Sequence, residues 1–357
     1  MSVSFFPIEL IQIRYYILAA VTAFMVVLVV TPCVKTIALK HQRVDLPSER
    51  KVHHQPMVRL GGIAICLGTL LALFVVWVIG GVEQLSSTML SGYWIVVFGS
   101  IGFFAIGLFD DLFNLSPLFR LGLQFAIASL VWLMGVRIDF LTLPGFGIVQ
   151  LGLLSLPLTV FWLTGVVNAI NWIDGLDGLA SGIGIIAAAS SFLICLYTGQ
   201  LAAALIGIAL VGSLFGFLLF NFNPAQIFMG DGGSYFIGFL LAGMGITGLV
   251  KSATATAILL PLLVLAVPLG DMTLVILARL RRGASPFLAD KRHLHHRLLN
   301  AGLPHRLTVL VMYALTWWAS SLALLFVGIP SSPVLISSST GLLGLMGWKA
   351  WHITRQG

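Results

Sequence analysis

Long apolar runs alternate with short polar links along almost the whole chain. A helix of about 20 residues crosses the roughly 30 Å hydrocarbon core of a membrane, and most of the runs approach that length. We predict eleven membrane-spanning helices. They are Tyr16–Ile37, Gly61–Ile79, Tyr93–Leu108, Leu118–Gly135, Leu151–Val167, Leu179–Tyr197, Leu201–Phe220, Phe236–Val250, Thr256–Ala278, Thr308–Gly328 and Val334–Lys349. The pattern is that of an all-α polytopic membrane protein with one integral membrane domain over residues 1–357.

The composition agrees with this pattern. Hydrophobic residues make up 59% of the chain and charged residues 9%, whereas a soluble domain carries roughly 25% charged residues. The mean hydropathy is +1.06. These values exclude a soluble globular domain. The N-terminus has neither the basic start nor the small-residue cleavage site of a signal peptide, so we expect the first span to be retained.

The basic residues predict the orientation of the chain. If the link after the first span lies inside, all but three of the 19 Lys and Arg residues fall on inside links, and the exceptions are Arg14, Arg137 and Lys251. The positive-inside rule then predicts an outside N-terminus and a cytoplasmic C-terminus. The same rule accounts for the net charge of +7, so we expect no nucleic-acid partner.

The other polar residues follow the same division. All 8 histidines and all but three of the 12 acids fall inside, and the outside acids are Glu9, Glu83 and Asp139. The positive-inside rule does not concern these residue types, so their distribution needs another cause. A single reaction site at the cytoplasmic surface would supply one. The candidate loops lie around residues 40–60, 109–117, 168–179, 221–235 and 279–306.

Two adjacent carboxylates, Asp110 and Asp111, follow the third predicted span. The C-terminal end of a helix carries partial negative charge, so a positive group should offset them. A bound divalent cation is one interpretation, and a pair of solvated loop acids is the other. Mutual repulsion would also favour uptake of a proton by the pair, which suits a proton acceptor.

The stretch NAINWIDGLDG, residues 168–178, places polar side chains at steps of three. They are Asn168, Asn171, Asp174 and Asp177. Each step turns an unbroken α-helix by about 300°, so the first and last side chains would lie on opposite faces. A break at Gly175 and Gly178 would end helix five, and we expect Asp177 to cap helix six. The polar groups could then converge on one pocket, although an ordinary capped turn has the same pattern.

The stretch MGDGGS, residues 229–234, places Asp231 between glycines immediately before helix eight. Glycines allow the backbone to approach a ligand closely, and the N-terminus of a helix favours phosphate. Asp231 is therefore a candidate Mg²⁺ ligand, because Mg²⁺ prefers one or two carboxylates together with substrate phosphates. A glycine-rich turn capped by an aspartate is the structural alternative.

Asp271 lies inside the ninth predicted span, where a lone acid needs a partner. Arg279 or a metal ion could provide it. A helix-packing pair and a functional role are both compatible with this position.

A cluster of histidine and arginine follows the ninth span. His293, His295 and His296 lie close to Arg281, Arg282 and Arg292. The sequence HLHH lacks the spacing of a zinc site, no cysteine is near, and cationic neighbours disfavour a metal. Arginine and histidine suit a diphosphate because charge-assisted hydrogen bonds to phosphate are strong. A basic patch that contacts anionic lipid is the alternative.

Taken in order, DD, NxxNxxDGLDG, FMGDGGS and SPFxxDKxHxHH resemble the polyprenyl-phosphate N-acetylhexosamine-1-phosphate transferase family. The similarity runs from about Leu39 to about Gly302. It implies Mg²⁺-dependent transfer, with Mn²⁺ as an alternative, of a sugar phosphate from a UDP-N-acetylhexosamine to a polyprenyl phosphate. The products would be a polyprenyl-diphospho-sugar and UMP. The resemblance also implies a bacterial inner membrane location, with the active site on the cytoplasmic face at the first membrane step of cell-envelope glycan synthesis.

The resemblance assigns expected roles to the motif residues. Asp110 and Asp111 match the paired acids that act on the lipid phosphate, as base or as nucleophile, and Asp231 matches the metal-ligating acid, with Asp111 beside it. The nucleotide and diphosphate would contact the residues Asn168, Asn171, Asp174, Asp177, Arg281, Arg282 and Arg292. His293, His295 and His296 match the catalytic histidine motif.

The substrate and the functional class leave alternatives open. Leu294 interrupts the histidine run, which resembles the branch that uses UDP-N-acetylglucosamine, although another UDP-N-acetylated sugar would undergo the same chemistry. An ion-coupled transporter would also bury acids in helices, but transporters place them near the midplane of paired repeats, and the sequence shows no internal repeat. The oligomeric state is open, with a homodimer as one option.

Overall fold

The computed structural model describes residues 10–42, 57–85, 90–143, 147–249, 259–283 and 292–356. Helices form nearly all of this part of the chain. They are α1 (Leu10–Lys40), α2 (Gly62–Val78), α3 (Gly81–Leu85), α4 (Leu90–Phe113), α5 (Pro117–Leu133), α6 (Ser155–Ile173), α7 (Leu179–Tyr197), α8 (Leu201–Asn221), α9 (Gly230–Met244), α10 (Leu259–Val264), α11 (Ala266–Leu280), α12 (Leu294–Asn300), α13 (His305–Val327) and α14 (Ser332–Gln356). A 3₁₀ turn, Gly152–Leu154, precedes α6, and a π-helical turn, Gly245–Leu249, extends α9.

The predicted all-α membrane architecture is confirmed. Among the described residues, seven helices are long and apolar enough to cross a membrane, namely α1, α4, α6, α7, α8, α9 and α13. Helices α2 and α5 are apolar but shorter. Helix α14 covers the eleventh predicted span. The count of eleven spans and the orientation of the chain stay predictions.

The prediction of one helix over Thr256–Ala278 is wrong. Residues 256–258 of this predicted span lie outside the described part of the chain. The rest of the span forms two helices, α10 and α11, which meet at Leu265. Leu265 has φ −104° and ψ 18°, outside the helical region. Pro268 explains the break, because proline has no N–H to bond the carbonyl four residues earlier.

The link between α5 and α6 contains a small β-hairpin, which the apolar pattern did not predict. Strands β1 (Phe140–Leu143) and β2 (Gly147–Gln150) pair antiparallel, with Phe140 opposite Gln150. The two strands of the hairpin are short, so their apolar residues cannot be recognised as strands beside the long apolar runs of the neighbouring helices.

Helix α9 lies at the centre of the bundle and packs against α4, α6 and α2. Glycines bring these helices unusually close together. A Cβ on Gly107 of α4 would lie 2.3 Å from the carbonyl oxygen of Asp231, and one on Gly62 of α2 would lie 2.2 Å from the backbone nitrogen of Gly233. Because no side chain separates these backbones, the C-terminal end of α4 and the N-terminal ends of α2 and α9 meet at one place.

Candidate active site

Asp111 caps the N-terminus of α9. Its Oδ1 accepts a hydrogen bond from the backbone N–H of Asp231 at 2.9 Å, and its Oδ2 accepts one from Gly232 at 2.9 Å. We expected a phosphate at this helix terminus, and the structure places a carboxylate from α4 there. The same physics applies, because the first N–H groups of a helix are unpaired and carry partial positive charge.

Arg120 joins two carboxylates that are far apart in the sequence. Its Nη1 donates to Asp110 Oδ2 and to Asp231 Oδ2, the latter at 2.8 Å. Asp110 Oδ1 also accepts a hydrogen bond from the backbone N–H of Leu115 at 2.7 Å. The positive group expected beside Asp110 and Asp111 is therefore, in this structure, a guanidinium from the first turn of α5.

Asn171 and Arg59 complete the surroundings of Asp231. Asn171 Nδ2 donates to Asp231 Oδ1 at 3.0 Å and lies 3.0 Å from Ser234 Oγ. Arg59 Nη2 lies 3.9 Å from the same carboxylate oxygen. Residues from α4, α5, α6, α9 and the segment before α2 thus form one group, which we call the carboxylate cluster: Arg59, Asp110, Asp111, Arg120, Asn171 and Asp231.

Asp174 follows α6 directly and interacts electrostatically with Arg59, Asp111 and Asp177. Burial raises the pKa of Asp174 to about 7, although Arg59 lowers it. A carboxylate with this pKa changes charge near neutral pH, and a nearby cation would favour its ionised form. The predicted end of helix five is confirmed, because α6 stops at Ile173.

The prediction that Asp177 caps helix six is wrong. Gly178, with φ 78°, takes the N-cap position of α7, and its N–H donates to Asn221 Oδ1 at 3.1 Å. Asp177 Oδ2 instead accepts from Asn223 Nδ2 at 3.0 Å and from the N–H of Ala225 at 3.1 Å. Its carboxylate therefore holds the loop that leads to α9.

Asn168 does not contact the carboxylate cluster. Its Nδ2 donates to Gln124 Oε1 of α5 and to the carbonyl of Thr164, both at 2.7 Å. It ties α6 to α5 one helical turn from Asn171. Of the four polar steps, the structure places Asn171 in the cluster and Asp174 next to it, whereas Asp177 binds the loop before α9 and Asn168 binds α5.

Asp271 contacts the start of the histidine motif. Its Oδ2 lies 2.8 Å from His293 Nδ1, and its Oδ1 accepts from the N–H of Leu294 at 2.6 Å. The His293 ring meets the Trp172 ring edge-to-face at 5.9 Å, and the Arg279 guanidinium lies over Trp172 at 5.1 Å. Asp271 therefore fixes the start of α12 against α11 and α6.

His295 is buried against the loop that holds Asp174. A Cβ on Gly175 would lie 2.5 Å from His295 Nε2. Burial, together with neighbouring His296 and His293, lowers the pKa of His295 to about 3. Its ring is therefore neutral at pH 7, and neither ring nitrogen has a hydrogen-bond partner among the described residues. The His296 ring lies 4.4 Å from the His295 ring.

The predicted diphosphate-binding arginines lie at the two ends of the link between α11 and α12. Arg281 and Arg282 are exposed at the end of α11, and Arg292 is exposed just before α12. Arg282 and Arg292 line a cleft with Asp271.

Sequence reasoning missed Arg120 and Arg59. Both were counted only as inside charges that set the orientation. A signal was nevertheless present, because Arg120 is the one basic residue near the paired acids, within SPLFR at the start of the next span. A cation that close to the membrane should have suggested a carboxylate partner.

The donor chemistry of the site fits Mg²⁺. Within the part of the chain that the structure describes, no three His, Cys, Asp or Glu side chains are grouped as ligands of one ion. Mg²⁺ does not need such a group when substrate phosphates complete its shell. Asp110, Asp111 and Asp231 supply the carboxylate oxygens that Mg²⁺ prefers. Arg59 and Arg120 lie beside the Asp231 carboxylate, so an ion that binds this carboxylate would have to displace a guanidinium group from it. Each Asp111 oxygen keeps a lone pair beyond its one hydrogen bond.

Comparison with known proteins matches residues 93–249 to the model of glycosyl transferase family 4. A probable undecaprenyl-phosphate N-acetylglucosaminyl 1-phosphate transferase of Bacillus subtilis is 37% identical over 298 residues, 83% of this chain and 81% of the relative. The chain belongs to glycosyl transferase family 4. It is therefore a transferase, and the resemblance drawn from its motifs is confirmed.

Two other relatives of this transferase cover similar shares of the chain. The decaprenyl-phosphate N-acetylglucosaminephosphotransferase of Mycobacterium tuberculosis strain H37Rv is 36% identical over 334 residues, 85% of this chain and 80% of its own. The undecaprenyl-phosphate alpha-N-acetylglucosaminyl 1-phosphate transferase of Escherichia coli K12 is 30% identical over 288 residues, 76% of this chain and 73% of its own. The region matched by the family model contains every member of the carboxylate cluster except Arg59.

Proposed function

We propose that this transferase moves N-acetylglucosamine-1-phosphate from UDP-N-acetylglucosamine to a polyprenyl phosphate. The products are polyprenyl-diphospho-N-acetylglucosamine and UMP. Three relatives that share most of their length with this chain carry names for transfer of this sugar phosphate to a polyprenyl phosphate. Family membership also favours a transferase over the alternative of an ion-coupled transporter.

The reaction exchanges one phosphoanhydride for another. An oxygen of the polyprenyl phosphate forms a bond to the β-phosphorus of the UDP-sugar, and the bond from that phosphorus to the oxygen of UMP breaks. Phosphoryl transfer of this kind depends mainly on positioning and on neutralising negative charge. Arg120 and Arg59 provide positive charge at one place, and Asp110 is available to position or deprotonate the lipid phosphate.

Mg²⁺ would be held by Asp231, with Asp111 beside it, and Mn²⁺ could replace it. When bound, the ion would supply positive charge to the diphosphate. Asp111 keeps the first turn of α9 in place, Asn171 orients Asp231 through its amide, and Arg120 restrains Asp110 and Asp231 at a fixed separation. These contacts hold the acids ready before either substrate arrives.

The remaining motif residues would contact the rest of the substrates. Asn168, Asn171, Asp174 and Asp177 would border the nucleotide. Of the three arginines expected at the diphosphate, Arg281 would keep that role, whereas Arg282 and Arg292 line a cleft that contains no member of the carboxylate cluster. His293, His295 and His296 would lie beside the reacting groups, with His295 neutral at pH 7. The active site would open to the cytoplasm in an eleven-span protein of the bacterial inner membrane, which has an outside N-terminus and a cytoplasmic C-terminus.

One observation supports this proposal more strongly than the others do. Arg120 bonds Asp110 and Asp231, which are 121 residues apart along the chain, at the membrane end where α4, α5 and α9 meet. A purely structural role would not require several acids and two arginines within one small volume, because burying charge is costly. A soluble nucleotide and a lipid phosphate can both reach such a position at the end of a helical bundle.

UMP release by the purified protein tests the proposal. We expect UMP only when UDP-N-acetylglucosamine, a polyprenyl phosphate and Mg²⁺ are all present, and little when EDTA is added. Omitting each component in turn provides the controls. UMP formation without the lipid would indicate a hydrolase, and no UMP with all three components would contradict the proposal. UDP-N-acetylgalactosamine in place of the donor tests the choice of sugar.

A further inference from the structure

A cleft of about 540 Å³ lies between α11, α12 and α13, outside the carboxylate cluster. One face of α11 supplies small and apolar residues to its wall, including Ala266, Gly270, Leu274 and Ala278. These residues recur at steps of four, so they form a stripe along the helix axis. Leu274 is 64% exposed. The cleft is therefore an open apolar groove that follows a membrane helix.

Three arginines line one end of this groove. Arg282 comes from the end of α11, Arg292 precedes α12, and Arg297 lies within α12. Asp271 also lines the cleft, but its two oxygens already bond His293 Nδ1 and the N–H of Leu294. The described lining residues therefore include three arginines and one acid, so the lining carries a net positive formal charge.

An apolar groove with arginines at its end matches the chemistry of an anionic phospholipid. A phosphate group would lie among the guanidinium groups, which form charge-assisted hydrogen bonds to phosphate oxygens. An acyl chain would follow the stripe on α11. Basic pockets between membrane helices at the cytoplasmic side are typical binding sites for anionic lipid head groups.

The cleft and the carboxylate cluster are lined by different residues. Asp271 lines the cleft and contacts His293, whose ring meets Trp172. Trp172 follows Asn171, whose amide bonds Asp231. No member of the carboxylate cluster lines the cleft. A phosphate held by Arg282 and Arg297 is therefore separated by side chains from the acids that would act on it, so the groove fits a resident lipid better than a reacting one.

We propose that this groove binds one anionic phospholipid of the membrane. The lipid bridges α11, α12 and α13, and its phosphate binds the arginines at both ends of the link between α11 and α12. Because α12 carries His295 and His296, the bound lipid also restrains the position of these histidines. Its binding can be measured without any transfer reaction, so the proposal can fail or hold independently of the proposed function.

Native mass spectrometry of the full-length protein, titrated with phosphatidylglycerol or phosphatidylcholine, tests this inference. We expect one phosphatidylglycerol to bind more tightly than phosphatidylcholine. The double variant Arg282→Gln/Arg297→Gln should weaken that binding at least roughly tenfold, because each basic residue near the surface adds to the attraction of an anionic lipid. The matched control Lys40→Gln/Lys349→Gln removes the same charge from two exposed residues outside the cleft and should leave the binding unchanged.

Gly270→Leu provides a second test that leaves the arginines intact. An added Cβ at Gly270 meets no atom within 4 Å, so the larger side chain fills the groove rather than disturbing the fold. We expect it to weaken phosphatidylglycerol binding while the melting temperature stays unchanged. Equal binding by the double variant and its lysine control would overturn the proposal, as would a failure to prefer phosphatidylglycerol. A single site that prefers polyprenyl phosphate and is lost in the same variants would assign the groove to the lipid substrate and also overturn it.

Discussion

At the scale of single residues, the acids could be predicted from the sequence, whereas the exact contacts of the arginines that bind them could not. Asp110, Asp111 and Asp231 stand out because acids are rare in this chain and lie next to apolar runs. The position of Arg120 close to the paired acids in the sequence suggests a carboxylate partner, but it does not show that Arg120 also bonds Asp231. The contact depends on how α5 packs beside α4, which is a property of the fold.

Replacing Arg120 with glutamine should reduce the rate of UMP release by about 100- to 1000-fold, similar to the loss of one preorganised charge-stabilising group. Glutamine keeps polar atoms near Asp110 and Asp231 but removes the positive charge. The matched control is Arg137→Gln, since Arg137 also pairs with an aspartate, Asp139, but is half-exposed and far from the cluster in the chain. Similar rates for the two variants would show that Arg120 has only a local structural role.

Asp174 should make stability depend on pH when divalent cations are absent. Burial raises its pKa from 3.8 in the unfolded chain to about 7 in the folded protein, so the folded state binds the proton more tightly. Wild-type stability should therefore fall, relative to Asp174→Asn, as pH rises from about 4 to about 7, and the difference should stay constant above that range. Melting temperatures in EDTA between pH 4 and 9 measure it. A difference that does not vary with pH would contradict the assigned environment.

At the scale of elements, the long apolar runs predicted the helices because apolar residues dominate each run. The sequence did not predict the break at Leu265, because Pro268 lies within an otherwise apolar run and prolines are tolerated in membrane helices. It also did not reveal the hairpin of β1 and β2. The glycine contacts of α9 were equally hidden, since a glycine that touches another backbone looks the same in sequence as one that faces lipid.

Gly107→Ala tests the close contact between α4 and α9. The added methyl group would lie 2.3 Å from the carbonyl oxygen of Asp231, so the helices must move apart and carry Asp110 and Asp111 away from α9. We expect a loss of about 1–3 kcal/mol of stability, as for other overpacked sites, together with reduced UMP release. Gly122→Ala in α5 is the control, because its Cβ meets nothing within 4 Å. An unchanged melting temperature for Gly107→Ala would contradict this packing.

At the scale of the whole molecule, charge asymmetry predicts which ends of the helices face the cytoplasm. The structure brings the predicted inside acids Asp110, Asp111 and Asp231 to one end of the bundle, which is compatible with that orientation. The convergence of these acids could be predicted, because acids that lie at the same end of several membrane spans are expected to share one site. The partner of each acid could not, because it depends on helix rotation and spacing that an apolar pattern leaves undetermined.

Cysteine labelling in intact cells tests the orientation. In a variant without the three native cysteines, Glu83→Cys lies in α3 on the predicted outer side and Asn300→Cys lies at the end of α12 on the predicted inner side; both positions are exposed. A membrane-impermeant maleimide should label only the first in intact cells and both after lysis. Labelling of Asn300→Cys in intact cells would reverse the predicted orientation and place the carboxylate cluster outside.

The central claim is that Asp231, held among Asp111, Arg120 and Asn171, acts in the transfer of the sugar phosphate. Single-turnover UMP release by Asp231→Asn in saturating Mg²⁺ tests it most directly, with Asp139→Asn as the exposed control. We predict a rate at least roughly 100-fold below wild type for Asp231→Asn, an unchanged rate for Asp139→Asn, and folded protein in both cases. A rate for Asp231→Asn equal to that of wild type would contradict the account.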